Sequence, residues 1–262
     1  MSIIKGKMSK LTVVSPNKNR LKVGSPSTEL FFKSLQWQDN KDFEILIVDG
    51  GSDNNKELKE YIDSYKGEIP MRMTTREVDS DPFPKCLLNN IGIRSAKTDY
   101  IMTTDVDMAF GREFMTILMG HLEPNVFVES RAMYWKQPIS KKIYNGEVDM
   151  YNDIDACKAG RIKKRTTPGA CQCMHIKQWE KLRGYNEEYV GWGSEDIDLY
   201  TRGRKLGLKI KWMGESGESI MAFHQPHARN NVRDLAHQTR NQRLLAKIKH
   251  YAVNENGWGD MS

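Results

Sequence analysis

Two acidic clusters that lie far apart in the sequence contain the residue types best suited to chemistry. The first is Asp105-Val-Asp107, which follows the apolar run Tyr100–Thr104. The second is Glu195-Asp196, which follows the aromatic and glycine-containing segment Gly191–Ser194. Carboxylates at the end of a strand suit a Mg²⁺ or Mn²⁺ ion held against a diphosphate, and a further carboxylate can take a proton from a hydroxyl. Together the clusters predict metal-dependent transfer from a nucleotide-activated donor.

The first cluster is an Asp-x-Asp pair at a strand end. Side chains alternate along an extended segment, so Asp105 and Asp107 are expected on the same side of the chain. One of them can bind the metal while the other holds a ribose or a bound water. The apolar strand and the preceding Asn89-Asn90-Ile-Gly92 strengthen this interpretation. The alternative is a strand-end turn with solvated acids.

The second cluster is open to two interpretations. Glu195 and Asp196 fit the first turn of a helix capped by Ser194, where acids favour the helix dipole. The functional alternative makes Glu195 or Asp196 a general base and Trp192 an apolar platform for a sugar ring. A helix N-terminus lowers the pKa of a carboxylate, which predicts a weakened base at this position.

Two further groups of polar residues complete the candidate site. Asp49 and Asp53 flank Gly50-Gly51-Ser52 after an apolar strand. There they can accept hydrogen bonds from a base or a ribose, and an ordinary turn is the alternative. His224 follows a short apolar run and can complete a metal site, with His227 as the other possible ligand. An imidazole ligand suits Mn²⁺ better than Mg²⁺.

Strands and helices alternate through the first hundred residues. The apolar patterns predict strands at Leu11–Ser15, Phe43–Val48, Met71–Val78 and Tyr100–Thr104, and helices at Thr28–Gln38, Lys56–Tyr65 and Lys85–Ala96. This alternation predicts an α/β protein with a parallel sheet. Ligands in such sheets bind beyond the carboxyl ends of the strands. We therefore expect the loops Asn17–Arg20, Asp49–Asp53 and Asp105–Asp107 to meet at one edge.

The second half of the sequence is less regular. Its patterns predict strands at Val126–Met133, Gly169–His175, Leu208–Met213 and Ile220–Phe223, and helices at Ile176–Leu182, Ser194–Leu206 and Val232–His250. Residues 137–167 have mixed charge and no clear period. We expect them to form a long loop that orders as a lid when the donor binds.

Composition is that of one globular domain. The chain has 262 residues, of which 39% are hydrophobic and 28% charged, and no linker-like stretch divides it. No signal-like segment and no run of about 18 apolar residues occurs, so we expect a cytoplasmic protein without a membrane span. The four cysteines are expected to be reduced and packed in the interior, because no further soft ligands accompany them; they are Cys86, Cys157, Cys171 and Cys173.

The net charge of +6 is spread unevenly. Basic residues concentrate in Lys158–Arg165 and again in Arg229–Lys249, the predicted C-terminal helix. Such clusters can contact phosphates. The alternative is that they form solvated surfaces.

The combination of these motifs resembles the GT-A-fold glycosyltransferases of the inverting, family-2-like kind. Gly191-Trp-Gly-Ser-Glu195-Asp196 is similar to the Gly-Trp-Gly-x-Glu-Asp segment of β-1,4-galactosyltransferases and chondroitin-polymerase-type domains. The resemblance runs from about Leu11 to about His227. It implies a Rossmann-like, mixed and mostly parallel sheet flanked by helices in a single domain. Within that domain it implies a nucleotide-sugar-binding half (about 9–110), an acceptor and catalytic half (about 111–228) and a basic C-terminal helix and tail (about 229–262).

The resemblance also implies roles for individual residues. Asp107, favoured over Asp105, and His224 would bind Mn²⁺ or Mg²⁺. Glu195 would bind the acceptor, and Asp196 would be the catalytic base. The residues placed around the nucleotide-sugar are Asn17, Arg20, Asp49, Asp53, Asn89, Asn90, Asp105 and Trp192.

The sequence thus predicts a metal-dependent inverting glycosyltransferase that moves a sugar from a nucleotide-sugar, such as a UDP-sugar, to a hydroxyl of a glycan or another compound. One alternative is the same transfer onto hydroxymethylated DNA bases, held by the basic C-terminal helix. Another is a non-catalytic nucleotide- or carbohydrate-binding module. A nucleotidyltransferase would need a glycine-rich phosphate loop near the N-terminus, and the first glycine after strand one is Gly24.

Overall fold

The fold is described here from a computed structural model that covers residues 10–78, 82–191, 193–214, 221–227 and 231–260. Side chains are described for these residues except 163–168 and 231–235. Within those ranges, no helix combines the length and the apolar composition that crossing a membrane would need.

One continuous sheet of nine strands organises the described residues. Its spatial order is β3-β2-β1-β4-β7-β6-β9-β5, and β8 pairs with β6 beside this path. The strands are β1 (Leu11–Asn17), β2 (Phe43–Asp49), β3 (Met71–Thr75), β4 (Tyr100–Thr103), β5 (Met108–Phe110), β6 (Val126–Trp135), β7 (Arg161–His175), β8 (Lys209–Trp212) and β9 (Ala222–His224).

Helices flank this sheet on both faces. In the described part of the chain they are α1 (Pro26–Gln36), α2 (Asn55–Ser64), α3 (Lys85–Ser95), α4 (Phe114–Gly120), α5 (Gln137–Tyr144), α6 (Ile154–Ala159), α7 (Ile176–Leu182), α8 (Glu195–Lys205) and α9 (Asn231–Leu245).

The first half has the predicted parallel arrangement. Strand β1 pairs in parallel with both β2 and β4, and β2 pairs in parallel with β3. In β2, Ile45 and Ile47 pack into one apolar cluster, whereas Leu46 and Val48 pack into another on the opposite face. Successive apolar side chains of β2 thus point to opposite faces of the sheet, and both faces are buried. A sheet that is covered by helices on both faces requires strands of this kind. The α/β class and the mixed, mostly parallel sheet are therefore confirmed.

The second half adds antiparallel strands to this core. Strand β7 is antiparallel to β4 and β6, and β9 is antiparallel to β5. Strand β6 is parallel to β8 at one end and to β9 at the other. This long strand thus connects the parallel half with the short strands near the chain's end.

The largest difference between the predicted and the observed structure concerns residues 137–167. They do not form one long irregular loop, because they contain α5, α6 and the first part of β7. Strand β7 begins at Arg161 instead of the predicted Gly169. A bulge breaks its pairing with β6 between Ser130 and Arg131, and such a bulge interrupts the alternation from which a strand is predicted.

Smaller corrections concern element ends and two missed elements. The short strand β5 and helix α4 directly follow the Asp-x-Asp pair and were not predicted. Strand β3 ends at Thr75, well before the predicted Val78. Helix α9 ends at Leu245, about one turn before the predicted His250. The predicted strand start at Ile220 lies outside the described residues.

The four cysteines follow the prediction. All four are free and buried. Cys171 and Cys173 belong to the same apolar cluster, and burial raises the pKa of both thiols. Both therefore pack in the interior, as predicted.

Candidate active site

Both acidic clusters line a single pocket of about 260 Å³. The turn after β4, the end of β9 and the start of α8 contribute to it, together with residues of β6, β7 and α9. Its described lining residues are Lys85, Asp105, Met108, Ala132, Tyr134, Gly169, Ala170, Gly193, Ser194, Glu195, Asp196, Ile197, His224, Gln238 and Gln242.

The loops after β1 and β2 meet at the carboxyl edge of the sheet, as expected. Asn17 donates a hydrogen bond to Asp49 (Nδ2 to Oδ1, 2.7 Å) and accepts bonds from the backbone N–H groups of Arg20 and Leu21. Asp49 in turn accepts bonds from the backbone and hydroxyl of Ser52. Asn17 and Asp49 are fully buried, so in this structure they shape the two loops.

Other residues predicted to contact the nucleotide differ in exposure. Arg20 and Asp53 are exposed on the loops after β1 and β2, and the positive charge of Arg20 acts on Asp105. Asn89 is buried on α3, and among the described residues its side-chain oxygen has no hydrogen-bond partner. Asn90 is also buried, but it hydrogen-bonds to the backbone of Tyr185 in both directions. Asn90 therefore fixes the segment before the second acidic cluster.

Lys85 at the start of α3 joins the two acidic clusters. Its Nζ lies 2.9 Å from Asp105 Oδ1 and 3.1 Å from Glu195 Oε1. Burial disfavours the charge of Lys85, but Asp105, Asp196 and Glu195 outweigh burial and raise its pKa well above the usual value. Burial likewise opposes ionisation of Asp105, yet Lys85 lowers the pKa of Asp105 below its usual value. A lysine that stays charged therefore lies between the carboxylates of the two acidic clusters.

Asp107 faces two histidines and not Lys85. Its carboxylate lies 3.5 Å from His224 Nε2 and 3.3 Å from His227 Nε2. One ligand atom from each of the three residues fits within 4.8 Å of the others. Asp105 and Asp107 lie in a turn between β4 and β5, so the expectation of an extended segment is wrong, and the two carboxylates take different partners.

Surrounding contacts orient this cluster. His224 Nδ1 lies 2.8 Å from the carbonyl oxygen of Gln225, and the ring stacks on Tyr134 at 4.6 Å. An Nδ1–H bonded to a carbonyl leaves Nε2 as the ligand atom. The backbone N–H of Gln225 donates to the carbonyl of Asp107 at 2.8 Å, and β5 and β9 pair Met108 with His224. The antiparallel pair thus brings the Asp-x-Asp turn and the histidines together.

Asp196 has an environment that the sequence did not predict. Burial raises the pKa of Asp196 well above its usual value; Lys85 opposes the shift, and Glu195 and Asp105 add to it. The expectation that the helix N-terminus would weaken this base is therefore wrong. Ser194 precedes α8 with φ 75° and makes no side-chain capping bond, so its predicted capping role is also wrong.

A glycine makes room for the Asp196 side chain. A Cβ atom on Gly169 would lie 2.2 Å from Asp196 Oδ2, and Gly169 has φ +94°. Any other residue would both strain the backbone and collide with the carboxylate. Gly169 is therefore needed for the present position of Asp196.

A buried polar network lies beneath Asp196. Gln172 Nε2 donates to Glu129 Oε1 (2.6 Å) and to the carbonyl of Asp196 (3.2 Å). Gln172 Oε1 accepts from the hydroxyl of Tyr185 at 2.8 Å, and that hydroxyl contacts Thr103 at 2.7 Å. Burial raises the pKa of Glu129 well above its usual value, despite its bond from Gln172. The network ties β4, β6 and β7 to the first turn of α8.

Sequence reasoning missed Lys85, Gly169 and Gln172. Lys85 and Gly169 lie in segments without a recognisable motif. Gln172 lies in an otherwise apolar strand, and its polarity is the one feature of that strand that could have indicated a role. The predicted sugar platform, Trp192, lies outside the described residues.

Two family models match segments of this chain. Residues 12–137 match the family model described as glycosyl transferase family 2. Residues 156–225 match the model described as N-terminal domain of galactosyltransferase. The two matches cover the two acidic clusters separately.

Relatives and solved structures point the same way. Chondroitin synthase of Escherichia coli is 23% identical over 86% of this chain, and the match spans 36% of that protein. A mannosyltransferase of Pyrobaculum calidifontis, solved with GDP-Man and Mn²⁺, gives a TM-score of 0.61 at 15% identity and covers 94% of this chain and 66% of its own. S. aureus TarS 1-349, solved with UDP-GlcNAc, gives 0.59 at 14% identity, with 90% and 65% covered. The two structures bear on the fold alone.

The chain has the GT-A fold, and two segments of it match family models of glycosyltransferases. It spans about a third of the length of the chondroitin synthase that it matches.

Proposed function

We propose that this chain is a metal-dependent, inverting glycosyltransferase that moves a sugar from a UDP-sugar to a hydroxyl of an acceptor glycan. One observation carries the proposal. A carboxylate with a raised pKa, Asp196, shares a pocket with Asp105 and His224, beside the Asp107 cluster. The nucleotide is inferred from the UDP-GlcNAc of TarS, and the metal from the Mn²⁺ of the mannosyltransferase.

The donor side has residues that fit a divalent cation. Among the described residues, Asp107 Oδ1 is buried without a hydrogen bond, which is unfavourable for a carboxylate unless a cation satisfies it. Asp107, His224 and His227 would hold the ion, and one carboxylate with two imidazoles suits Mn²⁺ better than Mg²⁺. When bound, the ion neutralises the charge that develops on the departing diphosphate. The pair of histidines replaces the single ligand, His224, that the sequence favoured.

The remaining donor-side residues surround the nucleotide. Arg20 and Asp53 are exposed at the carboxyl edge of the sheet, where they can reach a ribose or a phosphate. Asn17 and Asp49 hold the loops on which these two stand. We assign this role to the half from about residue 9 to about residue 110.

On the acceptor side, Asp196 takes the proton from the attacking hydroxyl. The oxygen then bonds to the anomeric carbon from the face opposite the nucleotide, and the bond to the diphosphate breaks with its electron pair. A carboxylate with a raised pKa holds the transferred proton more tightly than an ordinary one. Lys85 pairs with Glu195 and with Asp105 beside it, so the carboxylates of the pocket are not left without a compensating charge.

Release of nucleotide from a panel of nucleotide-sugars, with Mn²⁺ and mixed glycan acceptors, tests the proposal. We expect release from a UDP-sugar that EDTA abolishes and that Asp107→Ala and Asp196→Asn both reduce strongly. Asp155→Asn, which removes an exposed carboxylate on α6, should leave the rate unchanged.

Two results would contradict the proposal. Tight UDP and Mn²⁺ binding by calorimetry, without turnover of any donor in the panel, would indicate a binding module. Transfer confined to duplex DNA with hydroxymethylated bases would move the acceptor to nucleic acid.

A further inference from the structure

Helix α9 closes one side of the pocket. Gln238 and Gln242, four residues apart and therefore on one face of the helix, line the pocket together with Gly193, Ser194 and Ile197. The sequence suggested that this basic helix contacts nucleic acid, but these two side chains of α9 are uncharged amides at the catalytic carboxylates.

The helix is fastened to the segment that precedes those carboxylates. Asn241 is fully buried and donates hydrogen bonds to the carbonyls of Val190 (3.1 Å) and Gly193 (3.0 Å). The preceding residue, Arg240, donates to the carbonyl of Glu188 at 2.5 Å. A buried and hydrogen-bonded polar side chain such as Asn241 fixes the position of the helix that carries it. The amides of Gln238 and Gln242 are thus held at the pocket by contacts on a neighbouring face of the helix.

The chemistry of this wall suits hydroxyl groups. Each side-chain amide offers two N–H donors and a carbonyl acceptor, and among the described residues the side-chain amides of Gln238 and Gln242 have no hydrogen-bond partner within the protein. A sugar hydroxyl is both donor and acceptor, so one amide can satisfy it in either direction. Ile197, beside them, keeps 45% of its surface exposed, which gives an apolar contact for the C–H face of a sugar ring.

The charge of the pocket disfavours an anion at this wall. Among the described lining residues, Lys85 is the only lysine or arginine, and it already pairs with Asp105 and Glu195. Asp196 adds another carboxylate. The proposed metal ion at Asp107 pairs with the diphosphate, so an acidic sugar or a phosphate at this wall would meet these carboxylates without a free cationic side chain among the described lining residues.

From this geometry we infer that α9 forms the acceptor site and that Gln238 and Gln242 bind the hydroxyls of a neutral sugar at the acceptor terminus. The inference rests on the proposed function, since it names the acceptor class of the same pocket. It also gives α9 a specificity role in place of a phosphate-binding one.

The test separates acceptor use from donor cleavage. Wild type and the double variant Gln238→Leu/Gln242→Leu are compared for hydrolysis of the UDP-sugar in the absence of acceptor, and for transfer to methyl glycosides of neutral and of acidic monosaccharides. We expect the double variant to raise KM for neutral glycosides by at least about tenfold, the cost of losing one or two hydrogen bonds. Donor hydrolysis and KM for the donor should stay within about twofold of wild type.

Gln137→Leu, the same substitution at an exposed position on α5, is the matched control and should change neither activity. Circular dichroism checks that the double variant is folded, and the single variants serve if it is not.

Three outcomes overturn the inference. They are an unchanged KM for neutral glycosides in the double variant, a preference of the wild type for acidic glycosides, and transfer to DNA that the double variant retains. A wild type that cleaves no donor at all contradicts the proposed function itself.

Discussion

The proposed donor side and the proposed acceptor side of the pocket are built in different ways. The donor side consists of loops at the ends of the parallel strands β1, β2 and β4, held by local bonds such as that from Asn17 to Asp49. The acceptor side is assembled from β6, β7, the start of α8 and the distant helix α9, through contacts such as Gln172 to Asp196 and Asn241 to Gly193. Lys85 forms ion pairs with a carboxylate on each side.

This difference explains how one chain can give neighbouring carboxylates different properties. Asp105 has a lowered pKa because Lys85 outweighs its burial. Asp196 has a raised pKa because burial, Glu195 and Asp105 outweigh Lys85. Carboxylates whose pKa values are pushed apart are suited to different tasks. A lowered pKa suits permanent charge near a diphosphate, and a raised pKa suits proton transfer.

The largest expected effect comes from removing the base. Asp196→Asn should reduce kcat by about 10²- to 10⁴-fold, the usual contribution of a general base. Affinity for UDP and Mn²⁺ should not change, because the donor-side cluster is intact. Stopped assays of transfer and calorimetry with UDP measure the two quantities. A parallel loss of UDP affinity would mean that the two sides are not separate.

Displacing the base without changing its chemistry should have the next largest effect. Gly169→Ala puts a Cβ against Asp196 Oδ2, and a shift of about 1 Å can cost about 10² in rate. The matched control is Gly146→Ala, which has a similar φ of +74° but no atom within 4 Å of the new Cβ. Equal losses in the two variants would assign the effect to backbone strain, which contradicts a positioning role for Gly169.

Removing donor-side imidazoles should affect the metal alone. His224→Ala and His227→Ala should each weaken Mn²⁺ binding by at least about tenfold, as followed by electron paramagnetic resonance of free Mn²⁺. Saturating Mn²⁺ should restore part of the rate, since Asp196 is untouched. If the His227→Ala variant binds Mn²⁺ as tightly as the wild type, the ion is coordinated by Asp107 and His224 but not by His227.

The smallest effects are shifts of the pH profile. Activity needs Asp196 ionised, so the rate falls at low pH as its raised pKa is passed. Glu195→Gln removes a charge that raises this pKa and should move the acidic limb to lower pH. Lys85→Met removes a charge that lowers it and should move the limb to higher pH. Profiles of kcat against pH give both shifts, and shifts in the same direction would argue against Asp196 as the titrating group.

The sequence was informative where function depends on local pattern. Apolar runs followed by polar loops predicted the parallel strands, and the position of Asp49 and Asp105 after those runs predicted their common edge. The same reasoning placed both acidic clusters in one site, and the structure brings Asp105 and Asp196 to one pocket.

It was uninformative where function depends on distant contacts. Lys85 lies between Asp105 and Glu195, and Glu195 is 110 residues away from Lys85 in the sequence. No motif or spacing in the sequence indicates such a pair. The raised pKa of Asp196 depends on burial, whereas the sequence indicated only the helix N-terminus. The charge of α9 suggested phosphate contacts, whereas its role at the pocket depends on which face carries Gln238 and Gln242.

The stereochemistry of the first transferred bond tests the central claim most directly. Asp196 as a base, with the acceptor oxygen attacking opposite the diphosphate, requires the product to have the anomeric configuration opposite to that of the UDP-sugar. Proton NMR of the product at early times, before any equilibration, reports this configuration from the coupling of the anomeric proton. Inversion is the predicted result. A product with the anomeric configuration of the donor would contradict the assignment of Asp196 as the base. It would also contradict a single displacement at the anomeric carbon in this pocket.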